Sequence, residues 1–278
     1  MKNEKIIGLI AGGGRLPILI AQGAAKAGCR VICAGLGDNP DPQLAGLTDF
    51  YAKVPIARPG AWMRKLKKNG VTDAVMVGKI HKEKLLTPWR ILKYLPDWRA
   101  LRIYYWRLRK KNKIDQTILQ AIADELASGG IILQDSTKFC AEHLADKGVM
   151  TKIVPTAGMQ QDIDFGWDIV KKIAQTGIGQ AITVKEKIVI AVEAVEGTGK
   201  IIERSGQFCK KGGWTLLKAA KPDQDLRFDV PCVGPDTIKA ISAAGGKCLV
   251  VEAGRVIIID KPDTIALANQ LGIAIVGL

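Results

Sequence analysis

The feature that most limits the fold is an alternation of short apolar runs with helix-length segments through the first half of the chain. Ile6 to Ala11 is an apolar run that leads into GGGRLP, and a helical pattern follows from about Leu16 to Gly28. Arg30 to Ala34 is a second run, ending in GLGDNP, and Asp49 to Val54 is a short third. Pro59 can open a helix, because its missing N–H has no intrahelical partner there, and Gly70 can close it. Thr72 to Gly78 is a fourth run. Strands whose consecutive residues are all apolar are covered on both faces, so this alternation predicts an α/β domain built on a parallel sheet. Asp115 to Ser128 continues it as an amphipathic helix, Ile131 to Gln134 as a strand, and Ser136 as the cap of a helix ending near Gly148.

From about Thr151 the pattern changes. A helix over Asp162 to Thr176 precedes two strands, Gln180 to Val184 and Ile188 to Val195, joined by a Lys185-Glu186-Lys187 turn. A strand over Trp214 to Ala219, a helix from Pro235 to Gly245, two strands flanking Glu252-Ala253-Gly254, a helix over Asp263 to Leu271 and a final strand follow. Hairpins mixed with helices predict a smaller α+β domain. The expected division is 1–150 and 151–278.

Between these halves, from Lys79 to Lys113, twelve Lys and Arg stand against Glu83 and Asp97, so the window carries +10 of the chain's +14. It also holds Trp89, Tyr94, Trp98, Tyr104, Tyr105 and Trp106. The 3, 4, 3 spacing of Trp98, Leu101, Tyr105 and Leu108 marks one face of a helix, with Arg99, Arg102 and Arg109 largely off it. Basic residues among aromatics suit stacked bases, a lipid headgroup layer, or a helix that packs its aromatic stripe on its own domain. The six cysteines form no CxxC and sit mostly in apolar stretches, which favours buried thiols in a reducing compartment over disulfides or zinc. MKNEK leads directly into a strand, so no secretion signal is expected, and no apolar run approaches membrane-spanning length.

Four stretches carry possible chemistry. Lys221 to Asp236 reads KPDQDLRFDVPCVGPD, and as a strand it would aim Asp225, Arg227 and Asp229 one way and Leu226, Phe228 and Val230 the other. Pro231 would end that strand. Clustered carboxylates suit a hard divalent cation and a nearby Arg suits phosphate, although the same triplet also makes a plain surface ion-pair ladder. Lys218 and Lys221 strengthen the phosphate reading. Gly12, Gly13 and Gly14 lie where a strand feeds a helix, a place for backbone N–H groups to meet phosphate. Pro17 breaks the dinucleotide-binding glycine spacing, which weakens a nicotinamide reading despite Asp38 after the second strand. GTGK at Gly197 to Lys200 is not a Walker motif, since Ala194 and Ile201 replace its required glycine and Ser/Thr. Glu193 and Glu196 end an apolar run, where a buried carboxylate needs a partner, a proton or a metal. Gln180 is a weaker candidate, and His81 and His143 lack companions at ligand spacing.

Taken together, LIAGGGRLP, VGKIHKE, GQAITV, AVEAVEGT, KAAKPDQDLRFDVPCVGPDT, VEAGRVIIID and the terminal GIAIVG resemble the LpxI family of UDP-2,3-diacylglucosamine pyrophosphohydrolases of lipid A synthesis. The resemblance spans nearly the whole chain. It implies a Rossmann-like N-terminal domain, a C-terminal catalytic domain and a cytoplasmic, Mg²⁺- or Mn²⁺-dependent hydrolase that releases UMP and 2,3-diacylglucosamine 1-phosphate (lipid X). Asp229, Asp225 and Arg227 are then the expected catalytic residues, and Asp229, Asp225, Glu193 and Glu196 the expected metal ligands. Gly12, Gly13, Gly14, Lys79, Gln180, Thr198, Lys218 and Lys221 are the expected substrate contacts. The expected partners are the acylated UDP-sugar, the inner membrane as a peripheral contact and a second copy of the chain as a homodimer, with no nucleic acid. Gly177, Gly199 and Gln116 stand where the family usually carries an acid. Two rival readings are a nicotinamide-dependent oxidoreductase and a non-catalytic nucleotide or nucleic-acid binder.

Overall fold

The structure is a computed structural model that describes residues 5–80, 95–107, 115–222, 224–227 and 230–278. It divides into two compact units: Met1–Ala141 with Asp225–Asp229, and Glu142–Gln224 with Val230–Leu278. His81, Leu108, Arg109, Phe228 and Asp229 lie outside the described residues.

The first unit is the expected parallel sheet. Its strands are β1 (Lys5–Ala11), β2 (Cys29–Leu36), β3 (Phe50–Val54), β4 (Asp73–Val77) and β5 (Ile132–Leu133), in the order β3-β2-β1-β4-β5. All four pairings are parallel, as Rossmann-like order requires. Side chains alternate across each strand, so Ile10, Ile32, Ala34 and Met76 join one core with Trp62, Met63 and Leu66 of helix Pro59–Lys68 and Ala123 and Leu126 of helix Asp115–Ser128. Helix Leu16–Lys26 packs on β1 and β2 outside that cluster.

Two expectations in this unit fail for local reasons. The helix ending near Gly148 is replaced by 3₁₀ turns at Ser136–Phe139 and Ala141–His143, capped by Asp135, whose carboxylate accepts from Thr137 N at 2.7 Å. Among the described residues the basic helix is α over Trp98–Arg102 and continues as a π-turn over Ile103–Arg107. Ile103 is buried there, and Trp98, Tyr104 and Tyr105 are exposed. Arg99 and the exposed Arg102 both reach the fully buried Glu125, at 2.6 and 3.6 Å.

The second unit holds a six-stranded mixed sheet, β6-β13-β11-β9-β7-β8. Its strands are β6 (Gly148–Val149), β7 (Ala181–Lys185), β8 (Ile188–Val192), β9 (Thr215–Lys218), β11 (Cys248–Val251) and β13 (Ala274–Gly277), while β10 (Cys232–Val233) and β12 (Ile257–Ile258) pair separately. β9, β11 and β13 are parallel, and the β7–β8 hairpin turns through left-handed Glu186 and Lys187. In β11, Cys248 and Val250 face helix Ala157–Thr176, and Leu249 and Val251 face helices Thr198–Phe208 and Pro235–Ala243. Consecutive apolar residues are therefore buried on both faces, the physical origin of the short apolar runs. Among the described residues no helix is long and apolar enough to cross a membrane.

Candidate active site

β7 runs antiparallel to both its neighbours, pairing Ala181 with Lys218 and Ile182 with Val192. The residue before β7, the residue after β8 and the last residue of β9 therefore meet at one end of the sheet: Gln180, Glu193 and Lys218. Helix Thr198–Phe208 starts at the same place. Lys218 Nζ donates to Thr198 Oγ1 at 2.8 Å, and Thr198 Oγ1 donates to Glu193 Oε1 at 2.6 Å. Gln180 N donates to Glu193 Oε2 at 3.1 Å. Glu193 is 6% exposed and Lys218 5%, and this chain of hydrogen bonds compensates their charges in the interior. The backbones are tightly apposed, since a Cβ on Gly179 would lie 1.9 Å from Glu193 O. Glu196 stands apart and pairs with Arg204 at 3.1 Å.

The loop after β9 is pinned by residues that sequence reasoning missed. Ala219 N donates to Gln180 O, and Ala220 N donates at 2.8 Å to Oε2 of Glu252, at the end of β11. Glu252 Oε1 accepts from Lys171 Nζ at 2.6 Å, and Arg255 Nη2 holds Lys221 O at 2.8 Å. Lys221 is half-buried, and its N–H donates to Gln224 Oε1 at 2.8 Å. An acid just past an apolar strand, as in VVEAGR, is the signal that could have found Glu252.

Asp225 and Arg227 also come together, but in a turn and not in a strand. Asp225 Oδ1 accepts from Arg227 N at 3.0 Å, a local Asx bond that competes with extended structure. Arg227 Nε and Nη2 then grip the carboxylate at 2.9 and 2.5 Å, and Nη2 also donates to Gln120 Oε1 at 2.8 Å. The alternating face expected over Asp225–Val230 is therefore absent from its described part. The guanidinium's hydrogen bonds hold the Asp225 carboxyl below the usual carboxylate range and raise that of Arg227 in turn.

The N-terminal glycines meet Lys79 through the backbone. Gly12 N donates to Val77 O, Gly13 N to Lys79 O and Lys79 N to Gly13 O, each at 2.8 Å. A Cβ on Gly12 would lie 2.8 Å from Gly78 O, and one on Gly13 2.7 Å from Asn39 O, so these glycines let two loops touch. Their N–H groups are thereby spent within the fold, while Gly14 is exposed at φ +94° and the Lys79 side chain is exposed. Asp38 pairs with the exposed Lys53. Lys200 of GTGK pairs at the surface with Glu203, as suits a sequence that is not a phosphate loop.

Among the described residues no three His, Cys, Asp or Glu side chains gather as a metal site. Glu193, Asp225, Glu196 and Glu252 are each engaged by a hydroxyl, backbone N–H or cationic side chain of the protein. Gly177 closes helix Ala157–Thr176 at φ 73°, a left-handed position that favours glycine.

Comparison with known proteins agrees with the two-part architecture. The LpxI N-terminal domain model matches residues 6–143 and the LpxI C-terminal domain model residues 146–276. The chain is 30% identical over 282 residues to UDP-2,3-diacylglucosamine pyrophosphatase LpxI of Caulobacter vibrioides, covering 98% of this chain and 97% of that protein. It is also 27% identical over 157 residues to the bifunctional purine biosynthesis protein PurH of Trichodesmium erythraeum, covering 55% of this chain and 27% of that one. Among solved structures, phosphoribosylglycinamide synthetase from Anaerococcus prevotii aligns over 70% of this chain and 40% of its own at 11% identity, with a TM-score of 0.25 that carries no weight. With both domain models matched in order across nearly all its length, the chain belongs to the LpxI family.

Proposed function

We propose that this protein hydrolyses the diphosphate of UDP-2,3-diacylglucosamine to UMP and 2,3-diacylglucosamine 1-phosphate. The Caulobacter vibrioides relative is a pyrophosphatase for that nucleotide sugar by name, which supports the substrate. The observation that carries the reading is the buried Lys218–Thr198–Glu193 chain at one end of the second sheet. Lys218 and the N-terminus of helix Thr198–Phe208 supply positive potential for phosphate oxygens, and Glu193 fixes the Thr198 hydroxyl and, through it, the lysine. Lys221, held by Arg255 and Gln224 through its backbone, adds a second cation in the loop that follows β9.

Diphosphate hydrolysis needs mostly positioning and charge stabilisation, so no protein nucleophile is required. Water's oxygen bonds to one phosphorus, the bridging oxygen leaves with the other, and a carboxylate takes the water's proton. Asp229 is the carboxylate we assign to that task. The Mg²⁺ or Mn²⁺ expected from the family resemblance would be held by Asp229 and would neutralise the phosphate oxygens when bound. An acylated substrate lies in a bilayer, so the enzyme works from the cytoplasm at the inner membrane surface.

A substrate panel tests this reading. With UDP-2,3-diacylglucosamine, UDP-N-acetylglucosamine and NADH offered separately, the acylated nucleotide sugar should be turned over at least about a hundredfold more efficiently than the others. Equal turnover of UDP-N-acetylglucosamine, or oxidation of NADH, would overturn it.

A further inference from the structure

Gln224 is only 7% exposed, and its Nε2 is a buried donor with no hydrogen-bond partner among the described residues. Its orientation is not arbitrary. Oε1 accepts from Lys221 N at 2.8 Å, and flipping the amide would set one N–H against another. The capping of Lys221 N needs only the oxygen, which a carboxylate would supply equally well. The amide nitrogen thus has no structural use, and buried donors are rarely left unpaired without a reason. A second buried atom, Gln180 Oε1, also lacks a partner. Gln180 touches the proposed diphosphate site through its own N–H on Glu193 and its carbonyl on Ala219 N. One such group thus lies beside Ala219 and the other at Gln224, and between them Glu252 holds Ala220 N and Arg255 holds Lys221 O.

We infer that Gln224 is a specificity-determining substrate contact whose Nε2 donates to an uncharged acceptor oxygen of the nucleotide sugar, a carbonyl or a hydroxyl. The inference rests on the function proposed above and adds to it the residue that reads the part of the substrate that is not phosphate. Phosphate oxygens have Lys218 at the end of β9 and Lys221 in the loop that follows, whereas a neutral carboxamide is matched to a neutral group. A site built to hydrogen-bond one substrate oxygen discriminates against analogues that lack it.

The test uses the full chain with Gln224→Glu and Gln224→Leu. Gln224→Glu keeps the acceptor for Lys221 N but replaces the donor with a charged oxygen, so the comparison with pyrophosphate is read on the uncharged Gln224→Leu and, should that not fold, on Gln224→Met. Affinities for UMP, 2,3-diacylglucosamine 1-phosphate and inorganic pyrophosphate are measured by calorimetry, with KM, kcat and melting temperature alongside. We expect about a tenfold loss of affinity for one of the two organic products, the other and pyrophosphate unchanged, and KM raised tenfold at near-constant kcat. A loss confined to UMP places the oxygen on the uridine, and one confined to the lipid product places it on the acylated sugar. Unchanged affinity for both products, or a parallel loss that includes pyrophosphate, overturns the inference. If the wild-type protein turns over the substrate while the variants match it, the inference alone falls. If the wild type binds neither product, the proposed function falls, and the inference with it.

Discussion

Thr198→Val removes one hydroxyl from the centre of the proposed site and little else. That oxygen accepts from Lys218 Nζ at 2.8 Å and donates to Glu193 Oε1 at 2.6 Å, and both charged partners are at least nine-tenths buried. A hydrogen bond to a charged group contributes about 1.5–3 kcal/mol, and the valine leaves one such bond unmade on each side. The two losses are coupled, so we expect about 2–4 kcal/mol for the pair, short of their sum. For a unit of this size that lowers its melting temperature by roughly 6–15 °C. Thr198→Ser, which keeps the hydroxyl, should cost less than about 1 kcal/mol. Urea unfolding of the three proteins at pH 7.5, followed by circular dichroism, gives both differences. If valine and serine variants are equally stable, the bridge does not hold the Lys218–Glu193 charges, and the construction of the site argued above is wrong.

Three further outcomes follow from the same geometry. Asp225 binds its proton less readily folded than unfolded, so its contribution is complete above the unfolded value near 3.9 and is lost as pH falls through the depressed folded value. The stability gap between wild type and Asp225→Asn should therefore be constant from about pH 5 to 8 and close below about pH 4, and a gap that widens on acidification would refute the pairing. Arg99→Gln takes the nearer cation from the fully buried Glu125 and should cost about 2–4 kcal/mol by denaturant titration; a change under about 0.5 kcal/mol would refute that pairing. Removing metal with EDTA should abolish turnover, and Mg²⁺ or Mn²⁺ should restore it. The melting of the unit that holds Glu193 should not respond to either, because that carboxylate is already bound by Thr198 and Gln180.

The sheet cores were legible because strands buried on both faces must be apolar at consecutive positions, as in Ile6 to Ala11 and Cys248 to Val251. Helix Asp115–Ser128 was legible at both ends for a similar reason, its amphipathic period. Helix Thr198–Phe208 was not foreseen. It is short and carries Gly199 and Gly206, and only the spacing of Ile201, Ile202 and Ser205, its buried residues, marks it. The alternation from Asp225 to Val230 misled, because an Asp two residues before an available N–H can close a turn whatever its neighbours' polarity. Glu193 stood out as an acid in an apolar run and Lys218 as a cation beside the acidic stretch, and the family resemblance supplied Thr198. Their connection depends on β7 pairing with both β8 and β9, a non-local fact that no local pattern encodes. Gln224 had no sequence signal, since its meaning lies in a bond it makes and another it does not.

The most direct test of the account is the identity of the products formed from UDP-2,3-diacylglucosamine by wild type and by Asp229→Ala, read by mass spectrometry with substrate binding measured in parallel. The account predicts UMP and 2,3-diacylglucosamine 1-phosphate in equal amounts from the wild type. It predicts retained binding in the variant, with turnover lower by about three orders of magnitude or more, since a group that acts only in the transition state lowers kcat without loosening the substrate. Release of UDP with the free sugar would show cleavage of the glycosidic bond, and that result, or no product from the folded wild-type protein, would contradict the central claim.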